Sequence, residues 1–154
     1  MENRPEFINI YLLHGVNLNM LGQRDPEQYG ALSLVELEGR VVAGARELGF
    51  NCHSFQTNHE GELVEKIHEL RLLARGVIIN PGAWTHYSYA LHDALEMVEG
   101  PVVEVHLSDI DSRPEEWRHH SVIRDVCELA ISGKGLEGYL EALQWLARRL
   151  KPAG

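Results

Sequence analysis

The sequence predicts an α/β fold in which helices cover both faces of a parallel sheet, and three observations carry that expectation. Apolar runs of strand length alternate with longer segments of helical periodicity, the β-α-β-α order that builds parallel sheets. The run Gly76-Val77-Ile78-Ile79 is apolar throughout, as in a strand covered on both faces; a half-solvated strand would alternate. A length of 154 residues accommodates five such strands around a sizeable core.

Taken in order, residues 7–13 (FINIYLL) form the first strand. Ser33 and Glu36 spell S-x-x-E, a capping box that satisfies orphan N–H groups at a helix start. The helix it opens carries Leu34, Leu37, Val41, Ala45 and Leu48 and ends at Gly49. Residues 52–56 are a short, less apolar second strand. A second helix over 60–74 places Leu63, Ile67, Leu70 and either Leu73 or Ala74 on one face. Residues 76–79 are the third strand, 86–98 the third helix and 101–107 the fourth strand. Residues 130–132 belong to a short fifth strand, and 136–150 form a closing amphipathic helix. This succession implies a single domain over residues 1–154, a flavodoxin-like doubly wound sheet with strand order 2-1-3-4-5.

A formal charge of −9 with no basic run argues against nucleic acid or an anionic membrane as partner. A small anionic ligand is compatible with that charge, because it needs only a local cluster of arginines and backbone N–H groups. Cys52 and Cys127 stand far apart with no C-x-x-C pair, which fits a reduced cytoplasmic setting and not a disulfide framework. The stretch MENRPEFINIYLL is polar and then briefly apolar, unlike a signal peptide or a membrane span.

Folds of this class bind ligands beyond the carboxyl ends of their strands. The segment after strand one, HGVNLNMLGQRDPEQYG at 14–30, is rich in turn formers and too long to be a mere connection. It carries Asn17, Arg24 and Tyr29. The loop after strand three adds Asn80 and His86, and the end of strand four adds Glu104, His106, Ser108 and Arg118. These groups should converge on one crevice.

Tyrosine ordinarily titrates at about 10, and a neighbouring guanidinium favours the phenolate. Arg24, five residues before Tyr29, offers that effect. The same spacing is compatible with Tyr29 packed on the loop and Arg24 paired with Asp25 or Glu27. Glu104 and His106 are two apart on a strand, so their side chains point to the same side. A carboxylate beside an imidazole fixes its orientation, which an acid catalyst needs, and it equally describes a structural pair at a strand end. His86 suits either a substrate hydroxyl or the cap of the next helix.

Nine histidines invite a metal site, but there is no H-E-x-x-H and no pair of histidines four apart on a helix. A zinc site assembled from separate loops stays open on the residues alone, but spacing favours none, and no metal or other cofactor is expected. Gly133-Lys134-Gly135-Leu136-Glu137-Gly138 reads G-x-G-x-x-G between a strand and a helix, like a dinucleotide fingerprint. It opens the last helix, and the acidic residue expected about 20 residues on, on a following strand, has no room before Gly154. These glycines are read as a tight strand-to-helix turn.

With these residues in view, the sequence resembles the type II dehydroquinases, or 3-dehydroquinate dehydratases, from about residue 8 to residue 146. The matching blocks are NLNMLGQRDPEQYG at 17–30, NHEGELVEKIH at 58–68 and NPGAWTHYSYALHDAL at 80–95. They continue with PVVEVHLS at 101–108, EEWRHHS at 115–121 and GKGLEGYLEAL at 133–143. The resemblance implies conversion of 3-dehydroquinate to 3-dehydroshikimate in the shikimate or quinate pathway, with neither metal nor Schiff base. It makes Tyr29 the base that removes a proton beside the ketone, with Arg24 acidifying it and helping to order a mobile lid. It assigns Asn17 to a water that stabilises the enolate-like intermediate, and His106, paired with Glu104, to protonation of the departing hydroxyl. Asn80, His86 and Arg118 would hold ring hydroxyls, while Ser108 and the Leu107 N–H would hold the carboxylate. Asp93 matches a position that reaches a neighbouring subunit's site, and the family's trimers, commonly assembled into dodecamers, imply self-association.

The sequence leaves the family pattern at His14-Gly15-Val16-Asn17, where N-G-P-N is usual, and at Ser108-Asp109, where S-N is usual. One extra residue, assigned to Pro114, stands between His106 and Arg118, and His92 replaces a usual arginine before Asp93. A dehydratase of a related cyclic hydroxy-acid and a non-catalytic flavodoxin-like ligand-binding protein are the alternative readings.

Overall fold

The computed structural model describes residues 6–29 and 31–150, apart from the side chains of Gln28 and Tyr29. Its parallel strands are β1 (Ile8–His14), β2 (Phe50–Gln56), β3 (Gly76–Asn80), β4 (Val102–His106) and β5 (Leu129–Ser132). They form one sheet in the order β2-β1-β3-β4-β5, as expected. The register sets His14 beside Gln56 and Asn80, and His106 beside Ser132, so the strands end along one carboxyl edge.

The helices are α1 (Pro26–Tyr29), α2 (Leu34–Glu47), α3 (Glu60–Leu70), α4 (Tyr89–Glu96) and α5 (Leu136–Leu150). Side-chain alternation along the strands divides the core between two sheet faces. On one, Ile10, Leu12, Ile78 and Val105 meet Leu37 and Val41 of α2 and Tyr139 and Leu143 of α5. On the other, Leu13, Val77 and Ile79 meet Leu63 and Ile67 of α3 and Leu91 and Leu95 of α4. Every residue of β3 and β4 is buried, which is why the third strand reads as an unbroken apolar run. Each fully buried Leu, Ile or Val contributes roughly 1.5–3 kcal/mol relative to exposure, so the two faces fix the sheet.

As the capping box predicts, Ser33 Oγ accepts the Glu36 N–H at 3.1 Å and starts α2. Several boundaries differ from the sequence-based expectation, and three of them have a clear local cause. β2 begins two residues earlier, because Phe50 pairs with Ile8 and is buried. α3 stops at Leu70, whose carbonyl accepts both the Leu73 and Ala74 N–H groups; the turn buries Ala74 and leaves Leu73 exposed. α4 starts at Tyr89 and not at 86, because residues Gly82–His86 make a 3₁₀ turn and Ser88 Oγ caps the helix through the Leu91 N–H at 3.1 Å. Among the described residues, no helix is long and apolar enough to cross a membrane.

Candidate active site

A cavity of about 140 Å³ opens at the carboxyl edge of the sheet. Asn17 and Arg24 reach it from the loop after β1, and Asn80 and His86 from the end of β3 and the turn that follows. His106, Leu107, Ser108 and Arg118 come from the end of β4 and beyond. The three loops therefore converge as the topology requires.

Two glycines let the first two loops interlock. A Cβ on Gly15 would lie 2.1 Å from the Pro81 carbonyl oxygen, and one on Gly82 would lie 2.5 Å from that of Val16. Gly82 also adopts φ +65°, which costs a glycine little. The Gly15 N–H donates to the Asn80 carbonyl at 2.8 Å, closing the contact. Asn17 takes φ 68°, a region that asparagine tolerates better than most residues. Its N–H donates to Asn58 Oδ1 at 2.8 Å, and Gln56 Nε2 donates to the same oxygen at 3.1 Å. Gln56, the last residue of β2, and Asn58 just beyond it thus hold the turn that presents Asn17. Neither was singled out by the sequence-based reading of the site.

Glu104 and His106 form a buried pair, with His106 Nε2 2.5 Å from Glu104 Oε2. Two further donors converge on the carboxylate: Ser121 Oγ reaches Oε1 at 2.9 Å, and Arg124 reaches Oε1 through Nε at 3.2 Å and Oε2 through Nη2 at 3.3 Å. Burial alone would raise the Glu104 carboxyl. Hydrogen bonds and charge from His106 and Arg124 outweigh it and hold the group at about 2, so it is a carboxylate at neutral pH. With Nε2 engaged, Nδ1 is the nitrogen left for the cavity. A neutral ring protonated on Nε2 offers an acceptor there, and the imidazolium offers a proton. Glu104 itself does not line the cavity; its contact with the lining is His106.

The polar lining is held in place by the core. Asn80 Oδ1 accepts the Gly82 N–H at 3.1 Å, and its Nδ2 donates to Tyr139 Oη at 3.3 Å. Tyr139 is fully buried, and burial pushes its phenol up to about 12, so it remains neutral. His86 Nδ1 donates to the His120 carbonyl at 2.7 Å, which leaves Nε2 as an acceptor in the neutral ring. Burial lowers its pKa below the ordinary histidine value, assisted by His106 and Arg118 and opposed by the bond to His120. Ser88, not His86, caps α4, so the ring is committed to the cavity wall.

Arg118 reaches the cavity, as expected. Its guanidinium stacks 4.2 Å over the Trp117 ring, and Nε lies 3.1 Å from Glu115 Oε2 in an ion pair that falls short of hydrogen-bond geometry. Arg113, just before Pro114, also lines the cavity and donates to Ser108 Oγ at 3.5 Å. The sequence-based reading missed it. Arg24, Arg113 and Arg118 give the cavity a cationic lining, and no Asp or Glu stands among its described lining residues.

Other expectations fall elsewhere. The Tyr29 side chain lies outside the described residues. Asp93 is on the exposed side of α4 and does not line the cavity of its own chain; it pairs with His92 Nδ1 at 3.0 Å. His92 Nε2 binds Asp125 at 3.0 Å, so carboxylates occupy both nitrogens. His92, Asp93 and Glu96 are the one group among the described residues with three potential metal-donor atoms in reach of one another, away from the cavity. Asp109 does not enter the lining: its Oδ1 accepts the Asp111 N–H at 3.0 Å. The G-x-G-x-x-G segment is the tight turn expected, with Gly133 at φ +79° and a Cβ there only 2.9 Å from Asp109 Cβ. Its Gly133 and Gly135 N–H groups donate to the His106 and Leu107 carbonyls at 3.3 and 3.1 Å, bracing the end of β4. Burial pushes both cysteine thiols up to about 12, which leaves them poor nucleophiles.

The chain is similar to proteins of one family over nearly its whole length. The sequence pattern of Dehydroquinase class II matches residues 8–147. A 3-dehydroquinate dehydratase of Pelobacter propionicus is 52% identical over 137 residues, covering 87% of this chain and 90% of the relative. That of Thermotoga maritima is 46% identical over 144 residues, covering 94% and 98%. The crystal structure of the type II dehydroquinase from Propionibacterium acnes superposes with a TM-score of 0.87 at 42% identity, covering 91% of this chain and 96% of the other. Fold and sequence agree along the same residues, and the chain belongs to the class II dehydroquinases.

Proposed function

We propose that this chain converts 3-dehydroquinate to 3-dehydroshikimate. The observation that carries the substrate class is the sign of the cavity: arginines and histidines line it, without a described carboxylate, in a chain of net charge −9. An anionic ring carboxylate is drawn to that lining, and Ser108 with the Leu107 N–H would hold it beside Arg113. Asn80, His86 and Arg118 would take the ring hydroxyls.

The reaction needs one base, one stabiliser for the developing oxyanion and one acid. Tyr29, acidified by Arg24, removes the proton beside the ketone. Asn17 holds a water on the enolate oxygen. The His106 imidazolium, oriented by Glu104, gives its Nδ1 proton to the departing hydroxyl, and water leaves as the conjugated enone forms. The loop carrying Asn17, Arg24 and Tyr29 closes over the substrate as a lid, which excludes water and strengthens these charges. Asp93, outward-facing on α4, would complete a neighbouring subunit's site in a trimer that assembles into a dodecamer. The enzyme works in the cytoplasm, in the shikimate or quinate pathway.

Ultraviolet absorbance of the enone tests this reading. Turnover of 3-dehydroquinate that Tyr29→Phe abolishes supports it. Tight binding of a ring carboxylate without turnover would overturn it.

A further inference from the structure

Arg124 has no place in the reaction above, yet it shares a carboxylate with the acid. Glu104 is fully buried, and its two oxygens are divided among three side chains. Oε1 accepts Ser121 Oγ and Arg124 Nε at 2.9 and 3.2 Å; Oε2 accepts His106 Nε2 and Arg124 Nη2 at 2.5 and 3.3 Å. The guanidinium therefore bridges both oxygens and competes with the imidazole for one of them. The turn that carries it, Arg124–Val126, is anchored rather than loose: Ile123 is fully buried in the α3/α4 face of the core, and the Val122 N–H donates to the Thr85 carbonyl at 2.8 Å.

We propose that Arg124 is a positioning residue that tunes the strength of the His106 acid through Glu104. This rests on the reading of His106 as the acid. A buried carboxylate with an imidazolium as its sole counter-ion would clamp the proton that the ring must deliver. Arg124 stays charged throughout. It neutralises part of Glu104 and sets a like charge beyond it, so the imidazolium releases its proton more readily. The other charged or titratable groups around the pair are few. His86 and Arg118 face it across the cavity, Arg24 and Arg113 share the lining, and Cys127 and Asp111 lie near Arg124. The Cys127 thiol is neutral over the relevant range. Arg124 is thus the cation in direct contact with Glu104.

The test compares Arg124→Gln and Arg124→Lys in the full chain, through the pH profile of kcat with 3-dehydroquinate and through NMR titration of the His106 ring. The ring signal is assigned by its loss in His106→Gln. In Arg124→Gln, the basic limb and the His106 midpoint should both move up by about one pH unit, with the acidic limb unmoved. Arg124→Lys keeps the charge and should return both to within about 0.3 unit of the parent. Coincident limbs and midpoints in the parent and Arg124→Gln would overturn the proposal, and so would an equal shift in both variants. If the parent chain fails to turn over 3-dehydroquinate, the functional reading falls, and the NMR midpoints still decide the role of Arg124.

Discussion

His14 and His106 end two strands of the same sheet, β1 and β4, and each buried ring has a glutamate beside it. They face opposite ways. His14 lies on the same side of β1 as Ile10 and Leu12, against α2, where Glu38 Oε1 is 3.1 Å from Nε2. Neither nitrogen of His14 makes a hydrogen bond of good geometry with the described residues, and the ring does not line the cavity. His106 faces the other side of the sheet and the cavity, and its glutamate is held by a serine and an arginine as well. The contrast shows that a His–Glu pair at a strand end need not face a cavity. His106 differs in having a cavity on one side of the ring and a fully satisfied carboxylate on the other.

Breaking the His106 pair should give the largest effect. His106→Ala removes the proposed acid and should lower turnover by about 10²–10⁴-fold, while a circular-dichroism melt shows the fold retained. Glu104→Gln keeps a hydrogen-bonding group beside the ring but not the charge, and a fall in kcat of about 10–100-fold is expected in steady-state assays. The same substitution reports on stability. Glu104 is lowered from an ordinary 4.5 to about 2, so the ionised form is favoured in the folded state. Its contribution, on the order of 3 kcal/mol, is fully present above about pH 4.5 and is lost as pH falls towards 2. Urea unfolding between those limits should therefore be less pH-dependent in Glu104→Gln than in the parent chain. The smallest effect belongs to the other histidine. His14→Leu removes a buried polar ring without good partners, and Glu38 is exposed enough to turn to water. Stability should hold or rise by about 1 kcal/mol, and turnover should stay within about threefold of the parent. Loss of activity in His14→Leu comparable to that in His106→Ala would erase the distinction between the pairs.

Much of this was legible in the sequence because it depends on local periodicity. The unbroken apolar run at Val77-Ile78-Ile79 marks a doubly covered strand, and the i, i+2 spacing of Glu104 and His106 puts both on one side of β4. Ser121 and Arg124 were not legible, since they lie 17 and 20 residues beyond Glu104 in sequence, along irregular chain routed by Ile123 packing and by the Thr85 carbonyl. Arg113 was hidden for a related reason. It stands beside Pro114, and the His119 ring holds the Arg113 carbonyl at 2.6 Å, a contact no spacing rule anticipates. The start of α4 falls three residues later than the pattern predicts, because the 3₁₀ turn at 82–86 precedes it and Ser88 caps the helix.

The assignment of His106 to acid chemistry separates two steps that ordinary turnover merges. Under the proposed roles, proton removal beside the ketone falls to the loop after β1, and loss of hydroxide to His106 at the end of β4. In deuterated water, NMR of 3-dehydroquinate follows exchange of the proton beside the ketone independently of enone formation. His106→Ala is predicted to retain exchange while enone formation falls by about 10²–10⁴-fold. Equal loss of both steps in a folded variant, or enone formation at the parent rate, would contradict the role given to the Glu104–His106 pair.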